Sequence, residues 1–189
     1  MNTSLGYYIN PLLNVVLGVI LFKEFLSTPK KLSVLIATIG IALLTYQLGS
    51  LPIVSLILAV SFGLYGVVKK KLLISPFTSI AFEAWLLTPL ALLYTTMVDN
   101  TVWSYFGTDW YTTLLLIACG LTTSVPLVLF SYGAQLLPLN LLGFLQYVSP
   151  TIALLLAILY FGESFDTPQI IAFGCIWIAL AIYTMSNQL

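Results

Sequence analysis

Seven long apolar segments occupy most of the chain and constrain its fold more than any other feature. They lie at about 5–22, 30–47, 51–68, 77–97, 111–136, 141–161 and 168–186. Each is close to the roughly 20 apolar residues that a helix needs to cross the hydrocarbon core of a bilayer. Only 6% of the 189 residues are charged, against roughly 25% in a typical soluble domain. We therefore predict an all-α, multi-pass membrane protein, a bundle of seven transmembrane helices in contact with the lipid bilayer.

The composition also argues against several classes of function. The formal net charge is zero and there is no His, so the chain has no basic face of the kind that binds nucleic acid. Cys119 and Cys175 lie in different apolar segments, which favours packing over a disulfide or a metal site. The apolar segments contain no hydrolase triad and no set of metal ligands, and the last segment has no Lys that could hold retinal as a Schiff base. We expect no enzyme activity, no metal and no cofactor.

The lysines predict how the chain is oriented in the membrane. All six flank the first and third connections: Lys23, Lys30, Lys31, Lys69, Lys70 and Lys71. The fourth and sixth connections carry only acidic charges: Asp99, Asp109, Glu163 and Asp166. Because basic residues accumulate on the cytoplasmic side, we expect the first and third connections and the C-terminus to be cytoplasmic. The N-terminus is then expected outside, which suggests that an odd number of helices once preceded it.

A sequence repeat, offset by 139 positions, relates the first and sixth segments. "SLGYYINPLLNVVLGVILFKEFLSTP" at 4–29 returns as "GFLQYVSPTIALLLAILYFGESFDTP" at 143–168. Seven alternating spans make these two segments cross the membrane in opposite directions, as in the inverted repeats of secondary transporters. We predict that 1–47 holds the last two helices of a first five-helix repeat and that 51–189 holds a complete second repeat.

Three stretches resemble a known family. "PLNLLGFLQYVSPTIALLLAILYFGESF", "SLGYYINPLLNVVLGVILFKE" and "FEAWLLTPLALLY" are similar to the RarD family of EamA-type drug/metabolite transporters, and the resemblance covers nearly the whole chain. It implies a ten-helix protein of the bacterial inner membrane that moves small organic solutes. It also implies that this chain is a fragment lacking the first three helices.

Glu83 is the one ionisable residue that lies deep inside a segment. A charge in the hydrocarbon core is costly, so such residues usually face a cavity or a partner. We interpret Glu83 as a carboxylate that couples transport to protons or recognises a cation; the alternative is a hydrogen-bonded carboxyl that holds helices together. Because no basic residue lies within the segments, we expect it to be protonated.

A second group of polar residues and prolines occurs in the repeated segments: Tyr8, Asn10, Pro11, Asn14, Gln146, Tyr147, Ser149 and Pro150. A proline removes one backbone hydrogen bond and breaks or bends a helix, and nearby amides and phenols suit a solute cavity. The alternative is hydrogen bonding between helices, worth about 1 kcal/mol per contact.

Other residues receive supporting roles. Trp85 and Tyr132 are candidates for aromatic walls of the pocket and Pro126 for a gate, with packing as the alternative for each. Glu24 and Glu163 end the two repeated segments. We expect both to be structural, accepting hydrogen bonds from the free N–H groups of the helix that follows.

The leading hypothesis is a secondary transporter, or permease, of small organic metabolites or drugs that works by alternating access, with protons as the candidate coupling ion. The rival is a non-transporting remnant or the partner subunit of another chain, because three helices of one repeat are expected to be missing.

Overall fold

A computed structural model describes residues 5–47, 53–97, 106–162 and 167–186. These residues form the helices α1 (Leu5–Phe22), α2 (Thr28–Gln47), α3 (Ile53–Lys71), α4 (Pro76–Met97), α5 (Trp110–Leu136), α6 (Leu139–Gln146), α7 (Val148–Leu159) and α8 (Thr167–Met185). No strand occurs in the described part of the chain. The helix bounds lie within three residues of the predicted ones, except that the sixth segment is divided into α6 and α7.

The described helices have the length and composition of membrane spans. Helices α2, α3, α4, α5 and α8 are each long and apolar enough to cross a bilayer, and so is the α6–α7 pair taken as Leu139–Leu159. Helix α1 is also apolar and, at 18 residues, slightly shorter than these spans. The prediction of an all-α, multi-pass membrane fold is confirmed.

The chain divides into two compact units. Unit 1 consists of Met1–Val68 and Leu137–Leu189, and unit 2 consists of Lys69–Leu136. Unit 1 therefore contains α1, α2, most of α3 and α6 to α8, whereas unit 2 contains the last turn of α3 with α4 and α5.

Unit 1 is built on two close helix pairs, α1 with α6 and α2 with α8. A glycine allows the closest approach in each pair. A Cβ atom at Gly143 would lie 2.5 Å from the carbonyl oxygen of Pro11, and one at Gly40 would lie 2.8 Å from that of Ala172. No side chain fits at such distances, so the absence of a Cβ lets these helices touch backbone to backbone.

Both helix pairs run antiparallel. Near the start of α1, the Tyr8 carbonyl accepts a hydrogen bond from the Tyr147 hydroxyl. Just after the end of α1, the Glu24 carboxylate accepts one from the Leu139 N–H. Residue numbers rise along one helix as they fall along the other. The same reversal relates α2 to α8, because Lys30 lies over the Tyr183 ring while Gly40 faces Ala172. The sequence repeat is thus packed against itself in opposite directions, which an inverted repeat requires; the division into two halves stays a prediction.

The repeated helices differ in one respect. Helix α6 ends at Gln146, and the Tyr147 N–H bonds the Phe144 carbonyl at 3.2 Å before α7 begins. Pro150 has no N–H to offer the Gln146 carbonyl, which favours the break at this place. Helices α1 and α5 instead continue through Pro11 and Pro126. A helix break at Pro11 or Pro126 does not occur, because one missing backbone hydrogen bond does not by itself end a helix held by its neighbouring turns; bending or gating at these prolines stays a prediction.

Unit 2 is held by contacts near the ends of its helices. Gln135 Nε2 donates to the carbonyls of Leu72 at 3.3 Å and Ile74 at 3.0 Å, which fixes the connection between α3 and α4. Lys70 Nζ donates to the Ala134 carbonyl at 3.4 Å. Most of the apolar side chains along α4 and α5 are exposed, as expected for helices that face lipid or further helices.

Candidate functional site

Three side-chain amides meet where α1 packs against α6. Asn10 and Asn14 lie four residues apart on one face of α1, and both donate from Nδ2 to Oε1 of Gln146, at 3.3 and 2.7 Å. Gln146 is the last residue of α6, directly before the break. We call Asn10, Asn14 and Gln146 the amide cluster. The structure therefore brings together residues that the sequence placed 132 to 136 positions apart.

The amide cluster leaves hydrogen-bonding capacity unused. Asn14 is fully buried and Asn10 is 8% exposed. Within the described residues, the Oδ1 atoms of both have no hydrogen-bond partner. Buried polar atoms without partners are rare in native structures, and each costs about 1–3 kcal/mol. Two acceptors on one helix face are therefore buried without a donor in the described residues.

The two tyrosines of the repeat lie together beside this cluster. The Tyr147 hydroxyl donates to the Tyr8 carbonyl at 3.3 Å, and the Tyr8 ring packs edge-on against Phe173 at 5.3 Å. Tyr147 is buried in the core of unit 1 with Phe144 and Tyr183. Tyr147 therefore connects α6–α7 to α1 by packing and one hydrogen bond.

Glu83 has a cationic partner that the sequence analysis missed. Lys69 Nζ lies 2.5 Å from Glu83 Oε1 and 2.5 Å from the Ser79 hydroxyl, which itself lies 3.2 Å from Glu83 Oε1. The Lys69 side chain is fully buried, whereas that of Glu83 is 38% exposed. The expectation that no basic residue can pair with Glu83 is wrong.

The physical reason for this error lies in the end of α3. The helix continues to Lys71, so Lys69 belongs to its last turn and not to a loop. Its flexible apolar stem runs along the hairpin and delivers the ammonium group to α4. A signal was present in the sequence, since Ser79 and Glu83 share a helix face four residues apart across a connection of only four residues, 72–75.

The aromatic residues proposed for a pocket wall do not enclose a site within unit 2. Trp85 is 71% exposed and Tyr132 is 43% exposed. Pro126 is also exposed. Among the described residues, no group of three or more His, Cys, Asp or Glu lies together as a metal site would require.

Glu24 makes a helix cap, but with a different helix from the predicted one. Its carboxylate oxygens accept from the backbone N–H groups of Leu139 at 2.6 Å and Asn140 at 2.8 Å. These are free N–H groups at the start of α6, where a negative charge is favourable. These bonds join Glu24 to α6, and a purely structural role for Glu24 stays a prediction. Glu163 lies outside the described residues.

Local backbone geometry turns Glu24 toward α6. Lys23 adopts a left-handed conformation with φ 53°, and the Glu24 N–H bonds the Gly18 carbonyl at 3.2 Å. A Cβ at Gly18 would lie 2.5 Å from Glu24 Oε2 and 3.1 Å from the Asn140 nitrogen. Gly18 therefore leaves the space in which the carboxylate reaches its donors.

Two further residues that the sequence analysis did not single out complete this end of unit 1. The Tyr183 hydroxyl donates to Asn140 Oδ1, and Lys30 Nζ lies 5.1 Å from the centre of the Tyr183 ring, within cation–π range. Glu24, Lys30, Asn140 and Tyr183 thus join α1, α2, α6 and α8. Their positions in sequence gave no pattern from which this cluster could be predicted.

The chain is similar to known proteins over nearly its whole length. The model of the EamA-like transporter family matches residues 50–185. An uncharacterized transporter of Pseudomonas aeruginosa is 46% identical, over 97% of this chain and 62% of its own length. An uncharacterized transporter of Bacillus subtilis is 40% identical, over 99% of this chain and 62% of its own. The protein RarD of Escherichia coli is 40% identical, over 98% of this chain and 63% of its own. No solved structure matches.

The chain spans just under two thirds of the length of these relatives. Its similarity to them extends from one end of the described helices to the other, and the family match alone covers most of the chain. By this similarity and by its apolar helices, the chain belongs to the EamA-like transporter family.

Proposed function

We propose that this chain works in a secondary transporter that moves small organic solutes across a bacterial inner membrane by alternating access. The observation that carries the proposal is the amide cluster, which lies at the antiparallel contact between repeated helices and holds two buried oxygens without donors. Secondary transporters bind their substrates at such repeat interfaces, near broken helices. The names of two relatives, which are called transporters, agree with this class.

The chemistry of the cluster suits reversible solute binding. Its three side chains are uncharged, so they bind through hydrogen bonds without the large desolvation cost of a buried ion. A solute that donates to Asn10 and Asn14 would satisfy both Oδ1 atoms while their Nδ2 atoms keep their hydrogen bonds to Gln146. Weak, exchangeable contacts of this kind are what a carrier needs at its central site.

The proposed orientation keeps the C-terminus in the cytoplasm. Lys69 is buried and paired, so it does not count as a loop charge. The five remaining lysines still flank the first and third connections, which the charge rule places on the cytoplasmic side.

We also propose that protons are the coupling ion and that Glu83 takes part through its pairing with Lys69. Protonating the Glu83 carboxylate would remove the negative charge facing a fully buried ammonium. The arrangement of α3 and α4 within unit 2 would then be less stable, which gives a proton a means of changing the structure.

Counterflow in proteoliposomes tests the proposed function. The chain is reconstituted and loaded with amino acids, nucleosides or sugars, and uptake of the matching radiolabelled solute is followed, with the full-length Pseudomonas relative as positive control. We expect uptake of at least one solute class, reduced at least tenfold by Asn14→Leu and unchanged by Gly174→Ala, whose added Cβ meets nothing within 4 Å.

The outcomes separate the alternatives. Uptake by the relative but not by this chain would contradict the proposal and favour a remnant or a partner subunit. Uptake that Asn14→Leu leaves intact would remove the amide cluster from the solute path. If an imposed pH gradient does not change uptake in the wild type or in Glu83→Gln, the proposed coupling role of Glu83 is excluded.

A further inference from the structure

We propose that the connection between α1 and α2 is a lipid anchor. It binds the headgroups of anionic phospholipids through Lys23 and Lys31 and places the Phe25 ring among the lipids at the membrane surface. We call residues 23–31 the anchor segment. The inference goes beyond the proposed transport function and does not depend on it.

The first support is the position of the anchor segment between two apolar helices. Helix α1 ends at Phe22 and α2 begins at Thr28, and α2 is long and apolar enough to cross a bilayer. Residues that join two membrane helices lie at the membrane–water interface, where aromatic side chains accumulate. Phe25 is 83% exposed at this place, so its ring faces away from unit 1 and is accessible to lipid.

The second support is that the chain alternates between the protein and its surroundings here. Glu24 accepts hydrogen bonds from α6, and Leu26 packs against the hydrophobic core of unit 1. Lys23 and Phe25, on either side of Glu24, are exposed. Lys23 has a left-handed backbone, with φ 53°, which residues other than Gly seldom adopt. The inward contacts of Glu24 and Leu26 therefore fix a lysine and an aromatic ring side by side on the outer surface.

The third support is the charge of the anchor segment, which contains three lysines and one glutamate. The Glu24 carboxylate is directed to the backbone of α6, and Lys30 lies over the Tyr183 ring. Lys23 and Lys31 are the lysines of the segment whose side chains are exposed. Each lysine near an anionic membrane surface raises the affinity roughly fivefold, whereas a zwitterionic surface gives no such gain. An anionic lipid is therefore the partner that this surface fits.

The two ends of α2 provide an internal comparison. Tyr46, at the other end, is 88% exposed, much like Phe25, but no charged residue occurs between positions 32 and 68. Within unit 2, the connection after α3 shows the same pairing as the anchor segment, because Lys71 is exposed and Leu73 is fully exposed. An exposed apolar side chain beside exposed lysine thus occurs at both connections that follow a lysine-bearing helix end.

Quenching by spin-labelled lipids in nanodiscs tests the anchor. A fluorescent label is attached at Thr28→Cys or at Tyr46→Cys, both exposed positions, after the free thiols Cys119 and Cys175 have been replaced by Ala. The nanodiscs consist of phosphatidylcholine with a small fraction of phosphatidylglycerol or phosphatidylcholine that carries a nitroxide near the top of its acyl chain. Because a nitroxide quenches only at close range, the ratio of the two quenching efficiencies reports which lipid is enriched beside the label.

At position 28 we expect phosphatidylglycerol to quench at least fivefold more than phosphatidylcholine, and at position 46 we expect a ratio of about one. Lys23→Asn combined with Lys31→Gln should bring the ratio at position 28 to about one; Asn is chosen because it tolerates the left-handed backbone. High salt should lower the wild-type ratio, since it screens exposed charges. Phe25→Ser should reduce quenching by both lipids at position 28, because the connection then lies farther from the acyl chains.

Three results would overturn the inference: equal quenching by the two lipids at position 28 in the wild type, a preference that the double lysine variant keeps, or an equal preference at position 46. Displacement of phosphatidylglycerol by millimolar glycerol phosphate would also contradict it, because the site would then recognise free phosphate compounds. If the double variant fails to fold, Lys31→Gln alone decides, with an expected decrease of at least twofold in the ratio. None of these measurements depends on whether the chain transports a solute.

Discussion

The contacts inside unit 1 differ in kind from the contacts inside unit 2. In unit 1 the hydrogen bonds that join the first helical hairpin to α6 and Tyr147 link residues 115 to 139 positions apart, and glycines bring backbones into contact. In unit 2 the strongest polar contacts join residues 10 to 14 positions apart across one hairpin, and the outer faces of α4 and α5 are exposed.

This difference has a physical meaning for a membrane protein. Lipid gives no hydrophobic drive for helices to associate, so close packing and hydrogen bonds must hold them together. Unit 1 has both, because the repeat supplies two helix pairs with complementary surfaces. Unit 2 depends on a short connection, a partly buried ion pair and the hydrogen bonds that Gln135 and Lys70 donate. Substitutions in unit 2 should therefore destabilise mainly neighbouring residues. Substitutions in unit 1 should also destabilise helices that are far away in the sequence.

The largest effect is expected from Glu83→Leu in unit 2. It removes the carboxylate that faces the fully buried Lys69 ammonium. Breaking a buried ion pair costs about 3–5 kcal/mol, and we expect about 2–4 here because Glu83 is partly exposed. Thermal unfolding in detergent and hydrogen exchange should locate the loss in α3 and α4. The double change Lys69→Met with Glu83→Leu should recover most of it; failure to recover would mean that the pair is not the cause.

Gly143→Ala tests the close contact of unit 1. The new Cβ would lie 2.5 Å from the Pro11 carbonyl oxygen, so α1 and α6 must separate, at a cost of about 1–3 kcal/mol. Exchange protection should fall in α1 as well as in α6. Gly174→Ala is the control, with open space around its Cβ; an equal loss in both variants would show that helix contact is not responsible.

Gln146→Leu should cost less, about 1–2 kcal/mol, because two interhelical hydrogen bonds are lost. Chemical unfolding in detergent measures the change. Asn10→Leu should have a smaller effect than Asn14→Leu, because its contact with Gln146 is longer, at 3.3 Å against 2.7 Å. The reverse order would argue against the described geometry.

Glu24→Gln should destabilise unit 1 by about 0.3–1 kcal/mol, the usual value of a charge at a helix N-terminus. The amide oxygen can still accept one hydrogen bond, so the loss comes mainly from the charge. The effect should appear as faster exchange at Leu139 and Asn140 and should weaken in high salt. A salt-independent loss would point to packing.

The smallest effect is expected from Asp109, at the start of α5 in unit 2. Hydrogen bonds from the hydroxyl and N–H of Thr112, and from the N–H of Tyr111, hold the pKa of the Asp109 carboxyl below its usual value. A lowered pKa in the folded state means that this cap is fully effective above about pH 4 and is lost as the pH falls through the folded value. Exchange at the first turn of α5 should show this step, and Asp109→Asn should remove it.

The sequence allowed most of the secondary structure to be predicted, because span length and hydropathy are local properties that a bilayer enforces directly. It also singled out Asn10, Asn14 and Gln146 as candidates, since amides are scarce in apolar segments, and the structure brings these three side chains together. It could not predict that Lys69 would reach Glu83, because the end of α3 and the path of a long side chain depend on how the hairpin packs. An interruption near Pro150 could be expected from the proline, but the sequence could not predict that only one of the two Tyr-x-x-Pro segments is interrupted, since the same motif forms a continuous helix at Tyr8.

By itself, the sequence determined that this chain is a bundle of membrane helices with a repeated, tyrosine- and proline-containing segment. Only the tertiary structure decided which residues of the repeat meet, which helix Glu24 caps and which of two similar segments breaks. The reason is that apolar periodicity specifies where a helix lies relative to lipid, whereas partners and breaks follow from contacts between residues more than a hundred positions apart.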